Sequence, residues 1–160
     1  MTQSVAALLE RLVAAEATLS TAESVTGGRL AAQVTAVPGA SGAFVGGVVS
    51  YATDAKTDVL GVAAAVVAEH GVVSAQCAEQ MALGARRLFD TTWSVSTTGV
   101  AGPDRQEGKP VGTVFVGLAG PGVCRSVELS LSGTRAEIQE AACRAAWAAL
   151  DALVSAPGPQ

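Results

Sequence analysis

Residues 18–30 read TLSTAESVTGGRL, and the fold class turns on them. Thr18 to Glu23 is short, threonine-rich and apolar, the composition of a strand. Gly27 and Gly28 then break the extended run, and a helical stretch follows from Arg29 to about Val34. Pro38-Gly39 closes that stretch with a turn signal. A strand that passes through a glycine turn straight into a helix is the opening unit of an α/β sheet.

The alternation continues outward on both sides. Upstream, Val5, Leu8, Leu9, Leu12 and Val13 recur at helical spacing, with Ser4 placed to cap them. Downstream, Phe44 to Tyr51 reads as a buried strand. It contains Gly46 and Gly47, a pair that marks close approach by another backbone or by a ligand. Asp54 to Leu60 and Ala63 to Glu69 read as short helices separated by Gly61, with Gly71 as a C-cap. Ser74 opens a longer helix to about Phe89, on which Cys77, Met81, Ala85 and Leu88 share a face.

Trp93 to Thr98 reads as a strand, followed by a glycine- and proline-rich loop from Gly99 to Pro110. Val111 to Ala119 and Val123 to Leu131 read as two strands joined like a hairpin at Gly120-Pro121-Gly122. Thr134-Arg135-Ala136-Glu137 is a capping-box pattern, and the helix it opens uses Ile138, Ala142, Ala145 and Ala149 as its apolar face. The expectation is an α/β fold: a single three-layer domain over residues 1–160, with a mixed, mostly parallel central sheet flanked by helices. Residues 156–160 are expected to be a frayed tail.

Composition narrows the function. A chain of 160 residues suits one domain, and 49% apolar against 15% charged residues supply a sizeable core. That balance excludes a disordered chain. Ten scattered basic residues against fourteen acidic ones exclude a basic nucleic-acid binder. The longest apolar stretch, Val59 to Ala68, is far shorter than the ~20 residues of a spanning helix. Glu10 and Arg11 interrupt what could have been a signal-peptide core. A soluble, cytoplasmic protein without nucleic-acid or membrane partners is expected, and its alanine-rich surfaces leave a homo-oligomer open.

Cys77, Cys124 and Cys143 are odd in number and widely spaced, so buried reduced thiols are expected rather than a disulfide frame. With one histidine, His70, and dispersed cysteines, no metal site of the His/Cys type and no cofactor is expected.

Three places carry hydroxyls or amines that could do chemistry. At Ser24-Val25-Thr26-Gly27-Gly28 a hydroxyl stands near the positive end of a helix, among amides without intrahelical partners. Those parts suit a serine nucleophile with an oxyanion hole, a phosphate cradle, or simply a serine N-cap and a glycine turn. A serine nucleophile needs a base. His70 precedes Gly71 at a helix end, a position better suited to a partly exposed residue. The alternative is a desolvated lysine, and the chain has only Lys56 and Lys109. Lys56 follows a strand ending in Tyr51, although a solvated helix-face lysine fits the spacing as well. Asp54 and Asp58 must point elsewhere if Lys56 is to lose its proton. The third place is Thr97-Thr98-Gly99-Val100-Ala101-Gly102-Pro103, whose hydroxyls and glycine amides suit an anionic or carboxamide ligand as well as an ordinary turn.

Seven motifs in order resemble one family. They are Thr-Ala-Glu-Ser-x-Thr-Gly-Gly at 21–28, Val-Pro-Gly-Ala-Ser at 37–41, Gly-Gly-Val-Val-x-Tyr at 46–51, Lys56 with Leu60-Gly61-Val62, Gly-Val-Val-Ser at 71–74, Thr-Gly-Val-Ala-Gly-Pro at 98–103 and Lys-Pro-Val-Gly-Thr-Val at 109–114. Together they resemble the C-terminal domain of the competence/damage-inducible protein CinA, from about Ser4 to Leu153. The resemblance implies a nicotinamide-nucleotide amidase. Such an enzyme hydrolyses the carboxamide of nicotinamide mononucleotide to nicotinic acid mononucleotide and ammonia in pyridine nucleotide salvage. It implies a catalytic serine at Ser24 and lysine at Lys56, with the tyrosine matching Tyr51 nearby. Val25 stands where many relatives carry cysteine, and Asp104 to Gly108 replaces a more glycine-rich loop. Longer relatives carry an N-terminal nucleotide-processing domain, for which 160 residues leave no room, so pyrophosphatase activity is expected to be absent.

The expected reaction has Ser24 attack the carboxamide carbon while neutral Lys56 takes the hydroxyl proton, aided by Tyr51. Amides of Thr26, Gly27 and Gly28 are expected to hold the oxyanion. Thr98, Gly99, Ala101 and Gly102 are expected to hold the nucleotide, with Gly46 and Gly47 beside it. Arg135 pairs with the phosphate or is a first-turn surface arginine. The alternative function is a non-catalytic nucleotide-binding or regulatory module on the same scaffold.

Overall fold

In the computed structural model, which describes residues 2–156 with side chains from residue 5 onward, five strands form one open sheet. They are β1 (Leu19–Glu23), β2 (Phe44–Val49), β3 (Trp93–Gly99), β4 (Thr113–Gly120) and β5 (Val123–Ser130), in the order β2-β1-β3-β4-β5. β1 runs parallel to both β2 and β3, while β3, β4 and β5 are antiparallel neighbours. The parallel pairs are joined through helices and the β4–β5 pair by the tight hairpin, as the connection lengths require.

Helices cover both faces. On one, α1 (Thr2–Ala14), α2 (Arg29–Thr35) and α6 (Arg135–Val154) bring Leu8, Leu12, Leu30, Trp147 and Leu150 against Leu19, Val95, Val116 and Leu118 of the sheet. On the other, α5 (Ala75–Phe89) lays Cys77, Ala78, Met81 and Ala85 against Ala22 and Phe115, flanked by α4 (Ala64–His70). Phe115 and Val116 therefore enter opposite cores, the period-two consequence of a strand covered on both sides. α3 (Thr53–Asp58) follows β2 and starts the return toward α4. The three-layer α/β architecture is as the element pattern requires.

Several local expectations change. α1 already includes residue 4, so Ser4 lies within its first turn rather than capping it. β2 is not a buried strand. Among the described residues it pairs only with β1, and Val45, Gly47 and Val49 are exposed along this rim of the sheet. Leu88 is 51% exposed, because the close contact of α5 is made by small residues such as Ala78, Ala82 and Ala85. The buried face of α6 turns onto Cys143, Ala146, Trp147 and Leu150, since a tryptophan and a leucine bury more apolar area than Ala145 and Ala149. Cys77 and Cys143 are buried free thiols, but Cys124 is exposed at the outer hairpin. Ser74 caps α5 through the Cys77 amide, and the Thr134–Glu137 capping box forms as the pattern indicates. Residues 157–160 of the expected frayed tail lie outside the described residues.

The sheet register aligns the ends of three strands. Glu23, the last residue of β1, is level with Val49 of β2 and with Thr97 of β3. β1 and β2 thus end level, β3 runs two residues further to Gly99, and the segments leaving the three parallel strands meet at one edge of the sheet.

Candidate active site

Ser24 is the first residue beyond β1, and the backbone holds it from both sides. Its N–H donates to Thr97 O at 3.0 Å, and its own carbonyl accepts from Gly27 N–H at 3.1 Å. Gly27 and Gly28 carry φ of +58° and +101°, a reversal that suits glycine and that delivers the chain into α2. From α6, the Gln139 side chain donates to Val25 O at 3.0 Å. Ser24 is 8% exposed, so its hydroxyl sits at the floor of a pocket rather than on the surface.

Lys56 comes from α3 and is 1% exposed, the largest of the fully buried side chains. Its Nζ lies 2.9 Å from Ser24 Oγ, 2.7 Å from Ser50 O and 3.2 Å from Tyr51 O. A neutral amine has two hydrogens and one lone pair. The two carbonyls can take the hydrogens, which leaves the lone pair to accept the Ser24 proton. Burial lowers the Lys56 pKa from the ordinary lysine value, opposed by the charges of Cys77 and Glu107. Burial also pushes the Cys77 thiol up to about 11, so it is uncharged at neutral pH and the opposition from α5 is absent there. Asp54 and Asp58 are exposed and do not figure among the groups acting on the lysine.

The pocket above this pair is lined by Tyr51, Thr53, Val72, Val73, the loop from Thr98 to Gly102, Asp104, Gln106 and Arg135. Sequence candidates Ser24, Tyr51, Lys56, Thr98, Gly99, Ala101, Gly102 and Arg135 are therefore brought together. The hydroxyl of Tyr51 accepts from Arg135 at 3.0 Å, and the Tyr51 side chain is exposed. It serves Lys56 through its backbone carbonyl, and its phenol makes no bond to the serine or the lysine. Thr98 is fully buried and donates its hydroxyl to Val72 O at 2.7 Å, which ties β3 to the turn before α5. His70 ends α4, half-buried beside Glu69 and outside the pocket lining.

Five candidates lie elsewhere. Thr26 is buried with its hydroxyl shared between Glu23 and Thr97, each at 2.7 Å, and Gly27 and Gly28 do not line the pocket. Gly46 and Gly47 are accommodating the protein itself. A Cβ on Gly46 would stand 2.6 Å from the Phe89 ring, and one on Gly47 would stand 2.1 Å from Thr21 Oγ1.

The N-terminal amides of α2 are not open to a ligand either. Glu23, 1% exposed, accepts from Leu30 N–H at 2.8 Å and from Ala31 N–H at 3.1 Å. Its carboxylate occupies the place an anion would take at a helix start. Sequence reasoning misses this residue. A carboxylate closing an apolar strand just before a helix is the signal that could have found it. Among the described residues, the buried N–H groups that line the pocket and donate to nothing are those of Val25 and Ala101. Among the described residues there is also no group of three or more His, Cys, Asp or Glu side chains that could hold a metal ion, and no helix is long and apolar enough to cross a membrane.

Comparison with known proteins agrees with the motif resemblance. Residues 1–154 match the family model of the CinA C-terminal domain. The chain is 54% identical over 124 residues to a CinA-like protein of Frankia casuarinae, covering 76% of this chain and 29% of that one. It is 53% identical over 129 residues to a CinA-like protein of Synechococcus sp. strain CC9311, covering 80% and 30%. It thus spans less than a third of the length of these relatives. Among solved structures, a CinA superfamily protein from Klebsiella pneumoniae superposes with a TM-score of 0.93 at 32% identity, over 96% of this chain and 97% of that one.

Proposed function

This chain belongs to the CinA C-terminal domain family, and from that premise we propose that it is an amidohydrolase acting on nicotinamide mononucleotide, with Ser24 as nucleophile and Lys56 as base. The observation that carries the reading is the 2.9 Å contact between Lys56 Nζ and Ser24 Oγ inside a pocket. A surface lysine would be charged and solvated. This one is buried, with its pKa lowered, against the one hydroxyl that needs a proton acceptor.

In the proposed reaction, the Lys56 lone pair accepts the Ser24 proton as Oγ attacks the carboxamide carbon. The carbonyl oxygen becomes an oxyanion, and the unpartnered N–H groups of Val25 and Ala101 are the donors available to it. They replace Thr26, Gly27 and Gly28 in that role. Lys56, now an ammonium, passes its proton to the departing nitrogen, and ammonia leaves. Water then attacks the acyl ester with Lys56 again as base, releasing the carboxylate product and free Ser24.

The pocket suits the rest of such a substrate. The Arg135 guanidinium is held by two neutral acceptors, Gly102 O and the Tyr51 hydroxyl, and has no carboxylate partner among the described residues. Its charge is therefore free to meet a phosphate. Asp104 adds a carboxylate to the same lining, a complement to a cationic pyridinium ring.

The test is incubation of the purified protein with nicotinamide mononucleotide, following ammonia and nicotinic acid mononucleotide together. Stoichiometric release of both supports the reading. Binding of the nucleotide without release instead indicates a non-catalytic nucleotide-binding module.

A further inference from the structure

Glu107 is an acid the serine mechanism leaves unused, yet it makes two of the best-formed contacts near the pocket. It lies on the loop between β3 and β4. Its Oε2 accepts from Val72 N–H at 2.9 Å, and its Oε1 accepts from Val73 N–H at 2.7 Å. Two consecutive amides thus grip one carboxylate, a charge-assisted pair. The seat is closely fitted, since a Cβ on Gly71 would stand 2.3 Å from the Glu107 carboxylate. Val72 and Val73 both line the pocket.

What those two bonds hold is the loop itself. Gln106 and Lys109 bond to each other through their backbones at 3.3 and 2.9 Å, and Arg105 donates to Gly108 O at 2.9 Å. These contacts close the tip upon itself and anchor it to nothing else. Among the described residues, the hydrogen bonds that join residues 103–109 to the rest of the chain are the two made by Glu107. The same short segment carries Asp104 and Gln106 into the pocket lining.

We infer that Glu107 is a positioning residue: its carboxylate pins the 103–109 loop to the Val72 and Val73 amides and so holds Asp104 and Gln106 in the substrate pocket. The inference rests on the amidohydrolase reading for its kinetic consequence, but not for its structural one. Losing the latch frees a wall of the pocket while Ser24, Lys56 and their carbonyl partners stay in place. Substrate binding is therefore what suffers. Glutamine keeps the length and one acceptor oxygen but turns an NH2 toward the second amide. Aspartate keeps the charge and both oxygens on a stem one methylene shorter.

Two measurements on the whole chain decide the matter. Limited trypsin digestion reads the loop without reference to activity, because Arg105 lies within it. Cleavage after Arg105 should be at least about tenfold faster in Glu107→Ala and Glu107→Gln, and near the wild-type rate in Glu107→Asp. Because the Glu107 charge also raises the Lys56 pKa, the kinetics are compared on the alkaline plateau of each protein's pH profile, where Lys56 is neutral. There, with nicotinamide mononucleotide, Glu107→Gln should raise KM about tenfold while kcat stays within about threefold, and Glu107→Asp should restore most of the loss. Unchanged cleavage in Glu107→Ala overturns the latch. A fall in kcat at unchanged KM overturns the positioning role in favour of one in the chemistry. Should the wild-type protein hydrolyse no amide, the functional reading fails, and the trypsin result still decides the latch by itself.

Discussion

Arg135 and Tyr51 meet at the pocket although 84 residues separate them, the guanidinium donating to the phenol at 3.0 Å. The same guanidinium donates to Gly102 O, so one cation joins the segment after β2, the loop after β3 and the start of α6. Both acceptors are uncharged. A phosphate would offer the guanidinium more than either of them does, and Arg135 stands at the rim where such a group could enter.

Arg135→Ala should therefore weaken nucleotide binding with little effect on the chemical step. KM for nicotinamide mononucleotide should rise about tenfold or more, and kcat/KM for the phosphate-free riboside should stay near wild type. Equal losses with both substrates would show that Arg135 braces the pocket and does not read the phosphate.

Ser24→Ala should remove turnover and leave the fold intact. A lost nucleophile is expected to cost on the order of 10³-fold or more in kcat, ~4 kcal/mol on the barrier. The hydroxyl's contact with Lys56 contributes only about 1 kcal/mol to stability, so the melting temperature should move by a few degrees at most. Ammonia release measured beside calorimetric unfolding separates the two effects.

Lys56→Arg should be nearly as damaging to kcat as Lys56→Ala, because arginine keeps the charge but cannot give up a proton. The pH profile is set by the direction of the shift. Only the unprotonated amine accepts the Ser24 proton, so kcat/KM should rise as pH increases through the Lys56 pKa. Burial places that rise below the ordinary lysine value of ~10.4. A profile rising only near pH 10, or substantial kcat in Lys56→Arg at saturating substrate, removes Lys56 as the base.

Glu23→Ala should be a stability mutation. It strips the Leu30 and Ala31 amides and the Thr26 hydroxyl of a buried partner at the start of α2. The loss is expected to be about 3 kcal/mol, or about 10 °C in melting temperature for a domain of this size. Glu23→Gln, which retains one acceptor, should lose less. Thermal unfolding of the three proteins in parallel checks the order.

Prolonged EDTA treatment should leave turnover unchanged, since the proposed reaction uses only side chains and backbone amides. Loss of ammonia release that one added metal restores would contradict this.

The sequence by itself determined the layers and offered Ser24 and Lys56 as candidates for the two reacting groups. Strand, glycine turn and helix alternate on a scale that local propensity and hydrophobic period can read, because each depends on residues a few positions apart. The same locality placed Ser24 at a strand-to-helix junction, the scarcity of lysine left only Lys56 and Lys109, and the motif resemblance pointed to Lys56. Which groups face one another was not local information. The surroundings of buried Lys56 follow from β1 and β2 ending level, which brings the Ser50 and Tyr51 carbonyls and the Ser24 hydroxyl around one amine. Gly46 and Gly47 looked like ligand glycines because a missing side chain reads the same whether ligand or protein fills the space. In the folded chain the end of α5 puts Phe89 against Gly46, and the β1–β2 pairing puts Thr21 against Gly47. Likewise Thr26, Gly27 and Gly28 offered amides to an oxyanion, but none of the three lines the pocket in the folded chain, and the Gly27 N–H is taken by Ser24 O. Burial, and hence which charge is lost and which amide stays unpaired, belongs to the packing of distant segments. Only the tertiary structure fixes it.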